Sequence, residues 1–257
     1  MDKIYRVKQG MGGRYVVERD GGFHWLEGDV FGQYRAGAAI DGPLGQVLAP
    51  VVPSKIMAIG LNYKDHAAEM KKPLPAEPLL FIKPPTTVIG PEQAIHVPSW
   101  CGRVEHEAEM AVVIGRRASR VKAADAMDYI LGVTCLCDVT ARELQAKDVQ
   151  YSRAKGFDTF APIGPCIAVG LDPSELEVEG WVNGQKRQHS NTRELIFPVP
   201  YVVEWLTRFC TLEPGDVITT GTPAGVGVGR RPPAFLVPGD HIRIEISRLG
   251  AIEHDVV

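Results

Sequence analysis

The sequence predicts an α+β fold, rich in β structure and built on mixed or antiparallel sheet, with a small β-rich N-terminal domain. Three observations predict it. The apolar runs are short and bounded by Gly, Pro or Asp, the pattern of strands joined by tight turns. Twenty prolines and 27 glycines in 257 residues leave little room for long helices. No regular β-α-β alternation suggests a parallel nucleotide-binding sheet.

Taken in order, Ile4–Val7, Tyr15–Val17 and Phe23–Leu26 are strand-like runs separated by Gly12-Gly13 and by Asp20-Gly21-Gly22. Asp-Gly between apolar runs signals a hairpin. This unit is expected to close at Pro50-Val51-Val52-Pro53, which divides the chain into residues 1–53 and a main domain of residues 54–257. In the main domain, two stretches read as helix. One is Tyr63 to Met70, with Asn62 as its N-cap. The other is Val121 to Leu131, with Gly132 as its stop. Ile56–Ile59, Glu109–Ile114, Gly132–Cys137, Cys166–Val169, Val178–Val182 and Val217–Thr219 read as strands. Pro-Gly-Asp occurs at 214–216 and 238–240, each time before a strand-like run, as two hairpin entries built alike.

Composition narrows the function classes. Thirty-one acidic against 28 basic residues give no electrostatic case for nucleic acid or an anionic membrane surface. The apolar stretches fall well short of the ~18 residues of a spanning helix, and Met1–Arg6 carries charge where a signal peptide is apolar. Five cysteines, an odd count without a CxxC pair, point to a reduced, cytoplasmic protein.

Four groups of residues could carry chemistry. Glu107 and Glu109 lie two apart, so on a strand they share a face, and that face continues into Ala111 and Val113. Either the strand end is solvated or a divalent cation relieves their repulsion. Asp138, ending an apolar strand, is either an N-cap or a third carboxylate for the pair. Three carboxylates with no His or Cys partner suit a hard cation such as Mg²⁺, Mn²⁺ or Ca²⁺. His66 and Glu69 are spaced i,i+3 and share a helix face, either as a surface pair or as an oriented general base. Lys155 is either an exposed loop lysine or an ammonium held against a developing anion. Gly225-Val-Gly-Val-Gly229 runs into Arg230-Arg231-Pro232-Pro233, which cannot open a phosphate-binding helix, so a dinucleotide reading fails. A loop offering backbone N–H groups to a small anion remains.

The ordered set GLNYKDHAAE (60–69), FIKPPTTVIGP (81–91), VEHEAEMAVVIG (104–115), DVTARELQ (138–145), AKGFDTFAPIGP (154–165), IFPVPYVVEWLT (196–207) and LEPGDVITTGTPAGVG (212–227) resembles the fumarylacetoacetate hydrolase family, from about residue 54 to the C-terminus. The resemblance implies a homodimer with Mg²⁺ or Mn²⁺ held by Glu107, Glu109 and Asp138. It implies that His66 and Glu69 activate water on a lid segment and that Lys155 stabilises enolate or oxyanion charge. Lys83, Gln145 and Thr222 are implied to bind substrate, a small 2-oxo acid. The implied reaction is metal-dependent hydrolysis of a C–C bond in a 2,4-dioxo acid of the acylpyruvate or fumarylpyruvate class. Decarboxylation, isomerisation of related dienoate diacids and dehydration of 2-keto-3-deoxy sugar acids are the alternatives; a non-enzymatic Ca²⁺-binding module is the outside rival. The sequence departs from the family at Leu61, where the acylpyruvate-cleaving branch commonly has Arg. It also has Tyr151 for a common Trp and Glu143 for a common Asp.

Overall fold

A computed structural model describes all 257 residues. The chain opens as an antiparallel meander of β1 (Lys3–Gln9), β2 (Gly12–Arg19), β3 (Gly22–Gly28) and β4 (Tyr34–Ala39). The Asp-Gly turn joins β2 to β3 with both central residues at positive φ, Asp20 at 53° and Gly21 at 80°. That conformation matches the twist of the strands it connects. The meander does not stand apart from the rest of the chain. After β5 (Val47–Leu48) comes β6 (Ile56–Gly60), helix α1 (Lys64–Glu69), β7 (Leu79–Lys83), β8 (Val88–Ile89), β9 (Val104–Glu105), β10 (Ala108–Ile114), β11 (Ile130–Cys137) and β12 (Thr140–Ala141). Helix α2 (Arg142–Asp148), β13 (Ala161–Val169), β14 (Glu177–Val182), β15 (Gln185–Asn191), α3 (Val199–Thr207), β16 (Val217–Thr219), β17 (His241–Ile246) and β18 (Gly250–Asp255) complete it.

Twelve strands form one mixed sheet in the order β4-β3-β2-β1-β13-β11-β10-β16-β6-β7, with β5 on β1 and β8 on β13. Lys3 pairs with Ala168 and Ile4 with Ile167, so the N-terminal strands continue the main sheet. The β16–β6 and β13–β8 pairs are parallel, and the other pairs of this sheet are antiparallel. An antiparallel sheet of β15-β14-β17-β18 packs on it. β10 is buried along its whole length. Its alternation sends Met110, Val112 and Ile114 into the larger core with Ile242, Ile244 and the α3 residues Val202, Val203 and Leu206. Ala111 and Val113 enter a second core with Ile4, Leu26, Leu136 and Ile163. Burial on both faces explains why this strand reads as an unbroken apolar run. A buried Val, Ile or Met there stabilises the fold by roughly 1.5–3 kcal/mol.

Two expectations need correction. The stretch from Val121 to Leu131 is not an α-helix. Ala123–Tyr129 is a 3₁₀ segment, and Ile130 and Leu131 already belong to β11, where Ile130 pairs with Ile114. The segment buries only Ala126, too little apolar face to hold a helix against strand pairing. Asn62 does not cap α1; the residue before the helix is Tyr63. The Asn62 side chain instead donates to the carbonyls of Phe197 and Thr220 and accepts from the Phe197 N–H. It thereby ties the loop before α1 to two distant segments. Both Pro-Gly-Asp turns behave alike. Asp216 accepts from the Glu213 N–H at 2.7 Å and Asp240 from the Val237 N–H at 2.9 Å, just before β16 and β17. All five cysteines are free, and no helix is long and apolar enough to cross a membrane.

Candidate active site

Strand pairing brings the acidic residues together. Ala108 pairs with Cys137 and Glu109 with Leu136, and the Asp138 N–H donates to the Glu107 carbonyl at 2.9 Å. The residue after β11 is therefore set against the two glutamates that flank Ala108. Oxygens of Glu107, Glu109 and Asp138 lie within 4.8 Å of one another, and all three residues are buried.

Two buried lysines and a half-buried arginine surround the cluster. Lys155 Nζ is 2.6 Å from Glu107 Oε2 and 2.5 Å from Asp138 Oδ2. Lys83 Nζ is 2.6 Å from Asp138 Oδ1 and also donates to the Lys155 carbonyl. Arg142 Nη2 is 2.5 Å from Glu107 Oε1, and its Nε is 2.9 Å from Glu105 Oε1. Burial alone would raise the Glu107 carboxyl, but Lys155 and Arg142 overcome it and hold the group down to about 2. Burial works against the Lys155 ammonium too, and Asp138 and Glu107 more than compensate, so its pKa is raised. For Lys83 burial wins, aided by the charge of Lys155, and the pKa is lowered.

Glu109 is the exception among the acids. Burial, reinforced by the charge of Asp138, pushes its carboxyl well above the usual range, and Lys155 offsets only part of this. It forms no ion pair, and Oε2 accepts only the Gly221 N–H, at 2.9 Å. A buried carboxylate without its own cation, beside two others in an all-oxygen donor set, fits a hard divalent ion.

The cluster opens into a cavity of about 70 Å³. Glu107, Glu109, Lys155, Arg142, Gln145, Thr222 and His66 line it, with Leu61, Met70, Leu79 and Phe81 making an apolar wall. Lys155 Nζ is 4.8 Å from the centre of the Phe81 ring. His66 Nδ1 is 3.0 Å from Glu69 Oε2, as the i,i+3 spacing on α1 requires. A carboxylate can only accept there, so Nδ1 carries the hydrogen and Nε2 keeps a free lone pair. Glu69 is held in turn by the Gly225 N–H at 2.9 Å. The glycine run thus serves one of the chain's own carboxylates, not an external anion. Gly225 stands at φ +106°, and a Cβ there would lie 2.0 Å from the Arg187 carbonyl oxygen, so only glycine brings the loop this close.

Thr222 and Gln145 are on the wall, whereas Lys83 stands behind the carboxylates, fully buried. The Thr222 hydroxyl donates to the Ala108 carbonyl and accepts from Gln188 Nε2, so it is already committed within the protein. Glu143, one of the departures from the family pattern, pairs with Arg103 at the surface. Sequence reasoning missed Arg142 and Gln188. Arg142 was open to notice, since it falls four residues after Asp138 in DVTARELQ. Gln188 gave no local signal, because it arrives from the other sheet.

A sequence profile described as Fumarylacetoacetate (FAA) hydrolase C-terminal matches residues 55–257. An uncharacterized protein of Archaeoglobus fulgidus is 52% identical over 210 residues, 82% of this chain and 81% of its own. Oxaloacetate tautomerase fahd2, mitochondrial, of Xenopus laevis is 45% identical over 217 residues, 82% of this chain and 68% of its own. The crystal structure of 5-carboxymethyl-2-hydroxymuconate delta-isomerase from Mycobacterium smegmatis superposes with a TM-score of 0.89 at 40% identity, covering 99% of each chain.

Proposed function

The chain belongs to the fumarylacetoacetate hydrolase family, and from that premise we propose that its cavity binds a small 2-oxo acid and moves a proton at the carbon next to the oxo group. One observation carries this reading: His66, oriented by Glu69, lines the same cavity as Glu107 and Glu109, two of the three clustered carboxylates. A tautomerase and an isomerase among the relatives are in keeping with proton transfer.

Glu107, Glu109 and Asp138 would hold Mg²⁺ or Mn²⁺, which when bound supplies Lewis-acid polarisation of the oxo group. His66 Nε2 then takes a proton from the adjacent carbon, and the C–H electron pair moves into the C–C bond as the carbonyl becomes an enolate. Glu69 keeps the imidazole in the required tautomer and stabilises it once charged. Lys155 places an ammonium near the negative oxygen, in surroundings where burial strengthens its field. Return of the proton to oxygen gives the enol, with no atom gained or lost.

Hydrolysis of a 2,4-dioxo acid is the second reading, favoured by the same dyad, since a histidine so oriented also activates water. The test follows enol-to-keto conversion of oxaloacetate by ultraviolet absorbance, and pyruvate release from acetylpyruvate, each with Mg²⁺ and with chelator. Chelator-sensitive conversion without pyruvate release is the expected result. Pyruvate release from acetylpyruvate selects hydrolysis, and silence in both assays overturns both readings.

A further inference from the structure

Three lysine or arginine side chains line the cavity: Arg142, Lys155 and Lys72. Two of them are committed, Arg142 to Glu105 and Glu107, and Lys155 to Glu107 and Asp138. Lys72 lies exposed at the cavity mouth and pairs with no carboxylate.

The fold puts it there by the way α1 ends. The Met70 N–H donates to the His66 carbonyl, the Lys71 N–H to Ala68 and the Lys72 N–H back to Ala67 at 2.9 Å. Lys71 stands at φ 53°, the left-handed region in which glycine is usual. This closure reverses the chain, so Lys72 returns to the cavity wall and Lys71 does not. The neighbouring wall is hydrocarbon from Leu61, Met70, Leu79 and Phe81. Leu61 is also held at positive φ, 51°. A substrate group reaching that side meets mostly apolar surface, Tyr151 packed against Phe81, and one unpaired ammonium.

We propose that Lys72 determines specificity by receiving the distal carboxylate of a dicarboxylic 2-oxo acid, which makes short diacids of the oxaloacetate type the substrate class. This rests on the 2-oxo acid reading above. The end of the substrate that carries the oxo group faces the carboxylate cluster. A second carboxylate at the far end of the acid then points away from the buried cluster, towards the exposed Lys72. Against hydrocarbon alone, that carboxylate would lose its hydration without replacement. Lys72 supplies the replacement as a charge-assisted hydrogen bond, moderated by its exposure.

The experiment compares oxaloacetate with 2-oxobutyrate, a monocarboxylic acid of equal chain length, in wild type, K72M and K72R with Mg²⁺ present. K72M is expected to lower the diacid-to-monoacid ratio of kcat/KM by about tenfold, mainly through KM for the diacid. K72R is expected to keep most of the preference. Raised ionic strength should weaken the wild-type preference and leave K72M indifferent. An unchanged ratio in K72M overturns the proposal, as does an equal loss on both acids. If wild type converts neither acid, the proton-transfer reading fails separately. Calorimetric titration of the same two acids then decides for Lys72. Tighter diacid binding that K72M abolishes supports it, and equal binding by both proteins overturns it.

Discussion

Replacing Gln188 with leucine keeps the approximate volume of a side chain that is only 1% exposed and deletes all three of its polar contacts. Its Oε1 accepts the Ala108 N–H at 2.9 Å, and its Nε2 donates to the Thr222 hydroxyl and the Pro223 carbonyl, each at 2.8 Å. The threonine retains its bond to the Ala108 carbonyl and so loses least. The Ala108 N–H and the Pro223 carbonyl are left without these partners in a dry interior. An orphaned buried group costs about 1–3 kcal/mol, so Q188L should lose about 2–6 kcal/mol. Against a typical total of about 5–15 kcal/mol, that is a large fraction. Urea denaturation followed by circular dichroism measures it as a lower midpoint with an unchanged slope. Ala108 sits between Glu107 and Glu109, so Mg²⁺ affinity should fall in the same variant. A stability loss below about 1 kcal/mol, with Mg²⁺ affinity intact, would show that the two-sheet tether does not position the carboxylates.

Three further outcomes are expected. H66A should keep its Mg²⁺ affinity, measured calorimetrically, while turnover falls about 10²–10⁴-fold, the range for a lost general base; full turnover would remove His66 from the chemistry. Mg²⁺ at 100 times its Kd should stabilise the protein by about 2.7 kcal/mol, seen as a higher melting temperature. E109A should abolish that shift, and persistence of the shift would place the ion elsewhere. Burial holds His254 down to about 4, although the Gln93 carbonyl, 2.8 Å from its Nδ1, pulls the other way. The unfolded chain, at its ordinary value of 6.5, therefore binds a proton more readily than the folded one. Its contribution is complete above pH 6.5 and is lost as the pH falls towards about 4. Between pH 7 and pH 5 the loss should be about 2 kcal/mol, and H254Q should lose correspondingly less over the same interval. Equal losses in both proteins would contradict this account of His254.

The acidic cluster was legible because Glu107 and Glu109 lie two apart where β10 begins and Asp138 directly follows β11. One register, Ala108 against Cys137, then brings them together. The His66–Glu69 pair was legible for the same reason, local spacing on a helix. Residues that act across the fold left no such trace. Gln188 reaches Ala108 from 80 positions away in the chain, and Asn62 looks like an N-cap until Phe197 and Thr220 are seen to occupy it. Lys155 read equally as an exposed loop lysine or as an ammonium held against an anion, and only the folded chain shows it bound to Glu107 and Asp138. Ile130 and Leu131 fit a helical pattern but belong to β11, where Ile130 pairs with Ile114 of β10, a contact no local window contains. Helix α3 was hidden by Pro198 and Pro200, which precede its second turn, where no helical N–H is missed.

Proton transfer at carbon is the central claim, and hydrogen–deuterium exchange measures it without assuming a product. Incubating 2-oxobutyrate in D₂O with the protein and Mg²⁺, and following the C3 protons by NMR, reports each abstraction by His66. Exchange well above the protein-free rate, removed by chelator and by H66A, is the predicted result. No acceleration of C3 exchange, in a preparation that releases pyruvate from acetylpyruvate, would contradict the account and assign the dyad to water.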